Sequence, residues 1–294
     1  MKVLAIIHGA RKIRATHKQF LTACQADPSL DFSSICTTQS GHASVLAKEA
    51  KGIVDLIIVH GGDGLINEVV NGLCANPGSN PKLFLLPGGT GNDFIRNFNK
   101  SKGSEYHPFE RFNQPGQQIR IPYCKTENTR RHFINISDVG FGGHVVNALN
   151  FFRKTLGTNS AYVLAVLRTF VSYKASSMIL KFNDIHMEQP FFMIAVCHGS
   201  VFGKGMVIAP GKQPSNRYFE LVVLGRVTIW DYLKNLWKLR TGKRISHPEI
   251  HYYQTTSLQI TSSADKILGE TDGEAMNGRV ITYEFSDQVI EVLC

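Results

Sequence analysis

The sequence predicts an α/β protein in two parts: a layered N-terminal domain with a mostly parallel sheet, then a β-rich, sandwich-like domain. Three observations carry this. Short continuous apolar runs, Val3–Ile7, Leu56–Val59 and Leu83–Leu86, read as strands buried on both faces. Stretches of helical spacing alternate with them, the pattern of βαβ units. Beyond about residue 120 the texture changes to recurrent short strand-like runs, most of them separated by turn residues. A length of 294 residues suffices for two such cores.

Taken in order, Val3–Ile7 is strand one, and His8-Gly9-Ala10-Arg11-Lys12 follows it with a glycine and basic residues able to approach phosphates. Thr16–Cys24 is a helix, Ser33–Thr38 strand two, and Gly41-His42 open a helix over Ala43–Lys51. Strand three, Leu56–Val59, runs into Gly61-Gly62-Asp63-Gly64, after which Leu65, Ile66, Val69, Val70 and Leu73 take helical spacing. Strand, glycine turn and helix together aim backbone N–H groups and a helix N-terminus at one point, which suits a phosphate. Asp63 in that turn must hold a metal, bind a ribose hydroxyl, or be buried in hydrogen bonds. The loop is neither GxxxxGK[ST] nor GxGxxG.

Strand four, Leu83–Leu86, ends in a second such loop, Pro87-Gly88-Gly89-Thr90-Gly91-Asn92-Asp93-Phe94. Two loops after successive strands sit side by side at the carboxyl ends of a parallel sheet, where open α/β sheets bind ligands. Asn97–Gln118 is polar, with Pro108, Pro115, Gly103 and Gly116, and reads as a surface helix or loop leading to a domain boundary near residues 119–126. The second part offers strands at His132–Ser137, Met178–Phe182, Phe191–Cys197, Phe219–Leu224, Ser257–Thr261, Val280–Phe285 and Val289–Leu293, with a helical insertion at Ala161–Ser172. Ile229–Arg240 is an amphipathic helix whose Ile229, Tyr232, Leu233, Leu236 and Trp237 either pack on the core or rest on an anionic bilayer.

Composition narrows the classes. A net charge of +9 favours anionic partners, yet no nucleic-acid motif is present, so nucleic acid is not expected. No apolar run approaches the roughly 18–20 residues of a membrane span. Six scattered cysteines without a CxxC argue for a reducing cytosol and against a zinc site.

The paired motifs GGDG-x-I-N-E-V and LP-x-GTGNDF resemble the diacylglycerol kinase catalytic domain family, a group that includes bacterial lipid kinases and sphingosine kinases and shares its nucleotide fold with NAD kinases. Phe133–Val146, Gly199–Pro210, Gly242–Ile250 and Glu270–Met276 extend the likeness over nearly the whole chain. The resemblance implies a Rossmann-like three-layer nucleotide domain over residues 1–120. A lipid-acceptor domain over 121–294 would follow, its last strand returning to the first domain. It implies ATP and Mg²⁺ as cofactors and a diacylglycerol-like lipid, met at a membrane surface, as substrate. Nucleotide contacts would fall to Thr37 (in T-x-x-x-G-H-A), Gly61, Gly62, Asp63, Gly64, Asn67, Gly89, Thr90 and Asn92, metal to Asp63 and Asp93, and proton acceptance to Asp272 or Glu274. A cytoplasmic protein, peripheral at the inner membrane face, with room for a homodimer, follows from the same reading.

The chain departs from the family in three places. Leu65 replaces a threonine after GGDG. Asn216-Arg217-Tyr218-Phe219-Glu220 stands where an Asp-Gly-x-Leu-Asp segment binds a structural Mg²⁺, and Ile119-Arg120-Ile121 replaces an Ile-Asp-Leu. These leave two rivals open: phosphorylation of a soluble hydroxyl as in NAD kinases, and a catalytically weakened regulator that binds nucleotide or lipid.

Overall fold

The computed structural model describes residues 1–98, 112–152, 158–262 and 266–293. The chain divides into two compact units, Met1–Ile121 with Ser286–Cys294, and Pro122–Phe285. Most of the polar stretch expected to lead to the boundary, residues 99–111, lies outside the described residues.

In chain order the first unit contains β1 (Lys2–Ile7), α1 (Ala15–Ala26), β2 (Asp31–Cys36), α2 (His42–Ala50), β3 (Leu56–Gly61), α3 (Asp63–Cys74) and β4 (Lys82–Pro87). Their sheet runs β2-β1-β3-β4, every pair parallel. Apolar runs fit because both faces are covered. Val3, Ala5, Ile7, Leu56, Ile58, Phe84 and Leu86 meet Phe20, Leu21 and Cys24 of α1. The alternate residues Leu4, Ile6, Ile57, Val59, Leu83 and Leu85 are also buried and point to the opposite face, on which α2 and α3 pack against β1, β3 and each other. Three layers result.

The second unit holds β5 (Gln117–Lys125, which starts in the first), β6 (Arg130–His132), β7 (Ile136–Gly140), α4 (Phe141–Phe152), α5 (Thr158–Ser172), β8 (Ser176–Phe182), β9 (Ile185–Phe191) and β10 (Met193–Cys197). Then come β11 (Val201–Phe202), β12 (Met206–Val207), β13 (Phe219–Leu224), α6 (Ile229–Thr241), β14 (Ile250–Thr255), β15 (Leu258–Thr261), β16 (Ile267–Thr271), β17 (Glu274–Gly278) and β18 (Val280–Leu293). One sheet runs β14-β13-β10-β7-β16-β17, all antiparallel. A second is built on β18-β15-β8-β9. They form a sandwich: Val139, Ile194, Val196, Leu221 and Ile267 of the first share a core with Leu180, Leu258, Ile260, Ile281 and Tyr283 of the second. The outer face of the six-stranded sheet is covered by Phe141, Phe170 and Tyr173.

Two expectations change. The single strand over His132–Ser137 is two, β6 and β7, because the amides of residues 134–136 bond elsewhere, as described below. The two strands over Val280–Phe285 and Val289–Leu293 are one continuous β18, and its last residues return to the first unit, where Val292 and Leu293 pair in parallel with Leu83 and Phe84 of β4.

Candidate active site

The two glycine loops meet at the carboxyl ends of β3 and β4. Gly88 N–H donates to Gly61 C=O at 2.8 Å. A Cβ placed on Gly89 would lie 2.4 Å from the Gly62 Cα, and one on Gly62 would lie 2.9 Å from the Gly89 Cα. Only glycine permits that approach. Asn92, in the left-handed region at φ 51°, spans the second loop. Its Oδ1 accepts from Gly89 N–H (2.8 Å) and its Nδ2 donates to Gly89 C=O (2.9 Å).

Asp63 ties the loops together. Its Oδ2 accepts from the Asp93 N–H at 3.1 Å and its Oδ1 from the Phe94 N–H at 2.9 Å. Both carboxylate oxygens thus accept backbone N–H groups of the second loop. A lone pair remains on each oxygen. Asp63 Oδ2 and Asp93 Oδ2 both face Gly91: a Cβ there would sit 3.3 Å from one and 3.4 Å from the other. Arg96 Nε lies 3.7 Å from Asp93 Oδ1. Among the described residues no group of three or more metal-ligating side chains converges. Asp63 and Asp93 are the carboxylates that would hold a Mg²⁺, an ion that takes one or two carboxylates and fills its other positions with water and phosphate oxygens.

The neighbouring loops contribute in different ways. Thr37 Oγ1 accepts from Gly9 N–H at 3.2 Å. Arg11, one of the basic residues expected to approach phosphates, donates from Nη1 to Thr90 Oγ1 and Gly88 C=O, both at 3.3 Å. Thr90 and Gly64 are exposed, as a ligand contact requires. Asn67 is buried on α3, where its C=O and Oδ1 both accept from Asn71 Nδ2, so it shapes the helix and offers little surface. Leu65 is also buried, its side chain packed over Gly61, and supplies no hydroxyl to the loop.

In the second unit, Asp272-Gly273 forms the two-residue loop between β16 and β17, with both residues at positive φ (49° and 87°). The Asp272 carboxylate accepts three backbone N–H groups: Ile134 to Oδ2 at 2.7 Å, Asn135 and Ile136 to Oδ1 at 3.0 and 3.1 Å. These are the amides that interrupt the expected strand. Glu274, one residue beyond the loop, is exposed. Two residues before Asp272, Glu270 lies opposite Asp138 across β16 and β7, both buried. Burial pushes the Asp138 carboxyl up to about 7, with a hydrogen bond to Glu270 and the Gly142 and Gly143 amides opposing it. Burial and the Asp138 charge push Glu270 upward too. Both carboxyls are thus shifted upward where they face each other beside the N-terminus of α4.

The two remaining departures from the family motifs are held by contacts within the protein. Glu220 accepts from Arg244 at 2.6 Å and Gln254 at 3.2 Å, and buried Lys212 adds a second positive charge toward it. Asn216 Oδ1 is engaged by Gln213 N–H. Arg120 bonds Ser286 C=O and Asp287.

Comparison with known proteins agrees with this architecture. Residues 2–120 match the diacylglycerol kinase catalytic domain, and residues 136–294 match the YegS C-terminal NAD kinase beta sandwich-like domain. A diacylglycerol kinase of Staphylococcus epidermidis is 26% identical over 245 residues, covering 82% of this chain and 75% of its own. The crystal structure of a putative diacylglycerol kinase from Bacillus anthracis superposes with a TM-score of 0.73 at 22% identity, over 97% of this chain and 94% of that one. An NAD kinase from Archaeoglobus fulgidus in complex with ATP superposes with a TM-score of 0.50 at 11% identity, over 100% and 94%.

Proposed function

We infer that this chain, which belongs to the family joining a diacylglycerol kinase catalytic domain to a YegS-type C-terminal sandwich, transfers the γ-phosphoryl group of ATP to the hydroxyl of a diacylglycerol-like lipid. One observation carries the reading: two glycine loops in backbone contact, laced together by the Asp63 carboxylate, beside the N-terminus of α3. Side-chain-free glycine backbone and a helix N-terminus suit polyphosphate, and Arg11 and Thr90 supply a cation and a hydroxyl at its edge. Mg²⁺ held by Asp63 and Asp93 would neutralise charge on the transferred group.

The acceptor hydroxyl needs a base. Asp272 is a poor candidate, since three amides already occupy its carboxylate. Glu274 is exposed, and in this reading it takes the proton while the hydroxyl oxygen attacks the γ-phosphorus and ADP leaves. A weakened regulator is the second reading, favoured by Leu65 and by the Arg244–Glu220 ion pair.

Incubation with γ-labelled ATP, Mg²⁺ and either diacylglycerol micelles or NAD separates these. Label in lipid that Asp63→Ala abolishes, and that Glu274→Gln reduces by roughly 10²–10⁴-fold, is the expected result. Label in NAD, or ATP binding without transfer to either acceptor, overturns it.

A further inference from the structure

Helix α6 is apolar on two sides. Tyr232, Leu236 and Leu239 face inward, where Leu239 is buried with Met206 and Ile245. Tyr232 and Leu239, with Phe170, Phe192, Met206 and Ile250, line a cavity of about 110 Å³ between the six-stranded sheet and the helices. The core-packing alternative for this helix therefore holds for that stripe. A second set points the other way: Trp230, Leu233 and Trp237, spaced three and four apart, are 68%, 46% and 52% exposed. Exposed aromatic and aliphatic groups on one helical face carry a solvation cost that a monomer in water does not offset.

The charges around this face are of one sign. Lys234 and Lys243 are exposed, and the ammonium groups of Lys238 and Lys243 lie 6.0 and 5.1 Å from the Trp237 ring. Among the described residues none of these three lysines is in a salt bridge. The one acid of the helix, Asp231, is committed to the N-terminal capping box with Thr228. The neighbouring helix α5 also lines the cavity, and it exposes Val163, Leu167 and Val171. Tryptophan beside lysine on an otherwise unpartnered face is the pattern of a helix lying in the headgroup zone of an anionic bilayer. A protein partner would call for carboxylates matched in position. A fluid anionic surface calls only for a dense negative charge and an apolar layer beneath it.

We propose that α6 is the membrane-docking element of the second unit, with Trp230, Leu233 and Trp237 sunk to the acyl boundary of an anionic bilayer and Lys234, Lys238 and Lys243 on its phosphates. The cavity behind the helix then opens toward lipid chains. The proposal rests on the lipid-acceptor reading for its purpose, but its test does not.

The chain contains two tryptophans, and both lie on this face, so intrinsic fluorescence reports on it directly. The full-length protein is titrated with phosphatidylcholine vesicles and with vesicles holding a third phosphatidylglycerol, without ATP or diacylglycerol. The anionic vesicles should shift the emission to the blue, and lipids brominated near the headgroup end of the chain should quench it. Partitioning should weaken by roughly tenfold or more in Lys234→Glu/Lys238→Glu and in Leu233→Gln, with melting temperature unchanged. Absence of shift and quenching with anionic vesicles overturns the proposal. So does equal binding to neutral vesicles, or a concentration-dependent blue shift without lipid, which would mark self-association. A protein that docks but phosphorylates nothing would sink the kinase reading alone.

Discussion

At the scale of single residues, the site is set by what cannot be added. Gly89 has no room for a methyl group against Gly62. Gly89→Ala should part the loops and cost roughly a hundredfold in kcat/KM, the scale of a misplacement of about 1 Å among positioning groups, while the melting temperature falls only modestly. The carboxylates divide by environment. The Asp138 carboxyl, raised by burial to about 7 in the fold, contributes stability that is full below about pH 4 and is lost as pH rises through 7, and Glu270 is shifted in the same direction. Unfolding free energies from urea titrations at pH 5 to 8 should fall across that window, by up to about 1.4 kcal/mol per pH unit for each proton retained on folding. Glu270→Gln should flatten the slope. A slope unchanged in that variant would refute the coupling of the two carboxyls. The GGDG and GTGND loops were legible in sequence because their glycines and acids are local. The task of Asp272 was not, because its partners lie more than 130 positions away.

Among elements, the same close fit recurs where α2 crosses α3. A Cβ on Gly72 would meet the Ser44 carbonyl oxygen at 2.2 Å. Alanine gains about 1 kcal/mol over glycine in a free helix, yet Gly72→Ala should destabilise the protein by about 1–3 kcal/mol through overpacking, read as a lower urea midpoint. The N-terminal strands and helices were readable because buried parallel strands are plain apolar runs. Helix α4 was not, since Gly142 and Gly143 are poor helix formers at its start. In the fold those glycines face the Asp138 carboxylate and the Gly269 backbone, where a Cβ would intrude to within 2.0 and 2.6 Å. β9 was missed as well: it is mostly exposed and carries Pro190, so neither apolarity nor periodicity marks it. Asp287-Gln288 looked like a break between two strands because both are polar, but β18 passes straight through them.

On the scale of the whole molecule, the first unit is discontinuous. Ile290, Val292 and Leu293 are buried in it. Glu291 accepts from Gly116 and pairs with Lys82, and Lys51 and Asn80 both donate to Gln288. A fragment ending at Ile121 should therefore stay largely unfolded by circular dichroism, and a peptide covering residues 286–294 should restore it. Folding of the fragment alone would show that the returning strand is dispensable.

The return of β18 to β4 also fixes a timetable. On the ribosome, the glycine loops emerge early, but the strand that closes their sheet is made only after all of Pro122–Phe285. At ordinary elongation rates that is a wait of roughly ten to thirty seconds, during which β4 presents a bare edge able to capture any other extended chain. The nascent polypeptide is thus at its most vulnerable to misassembly while its glycine loops are already outside the tunnel.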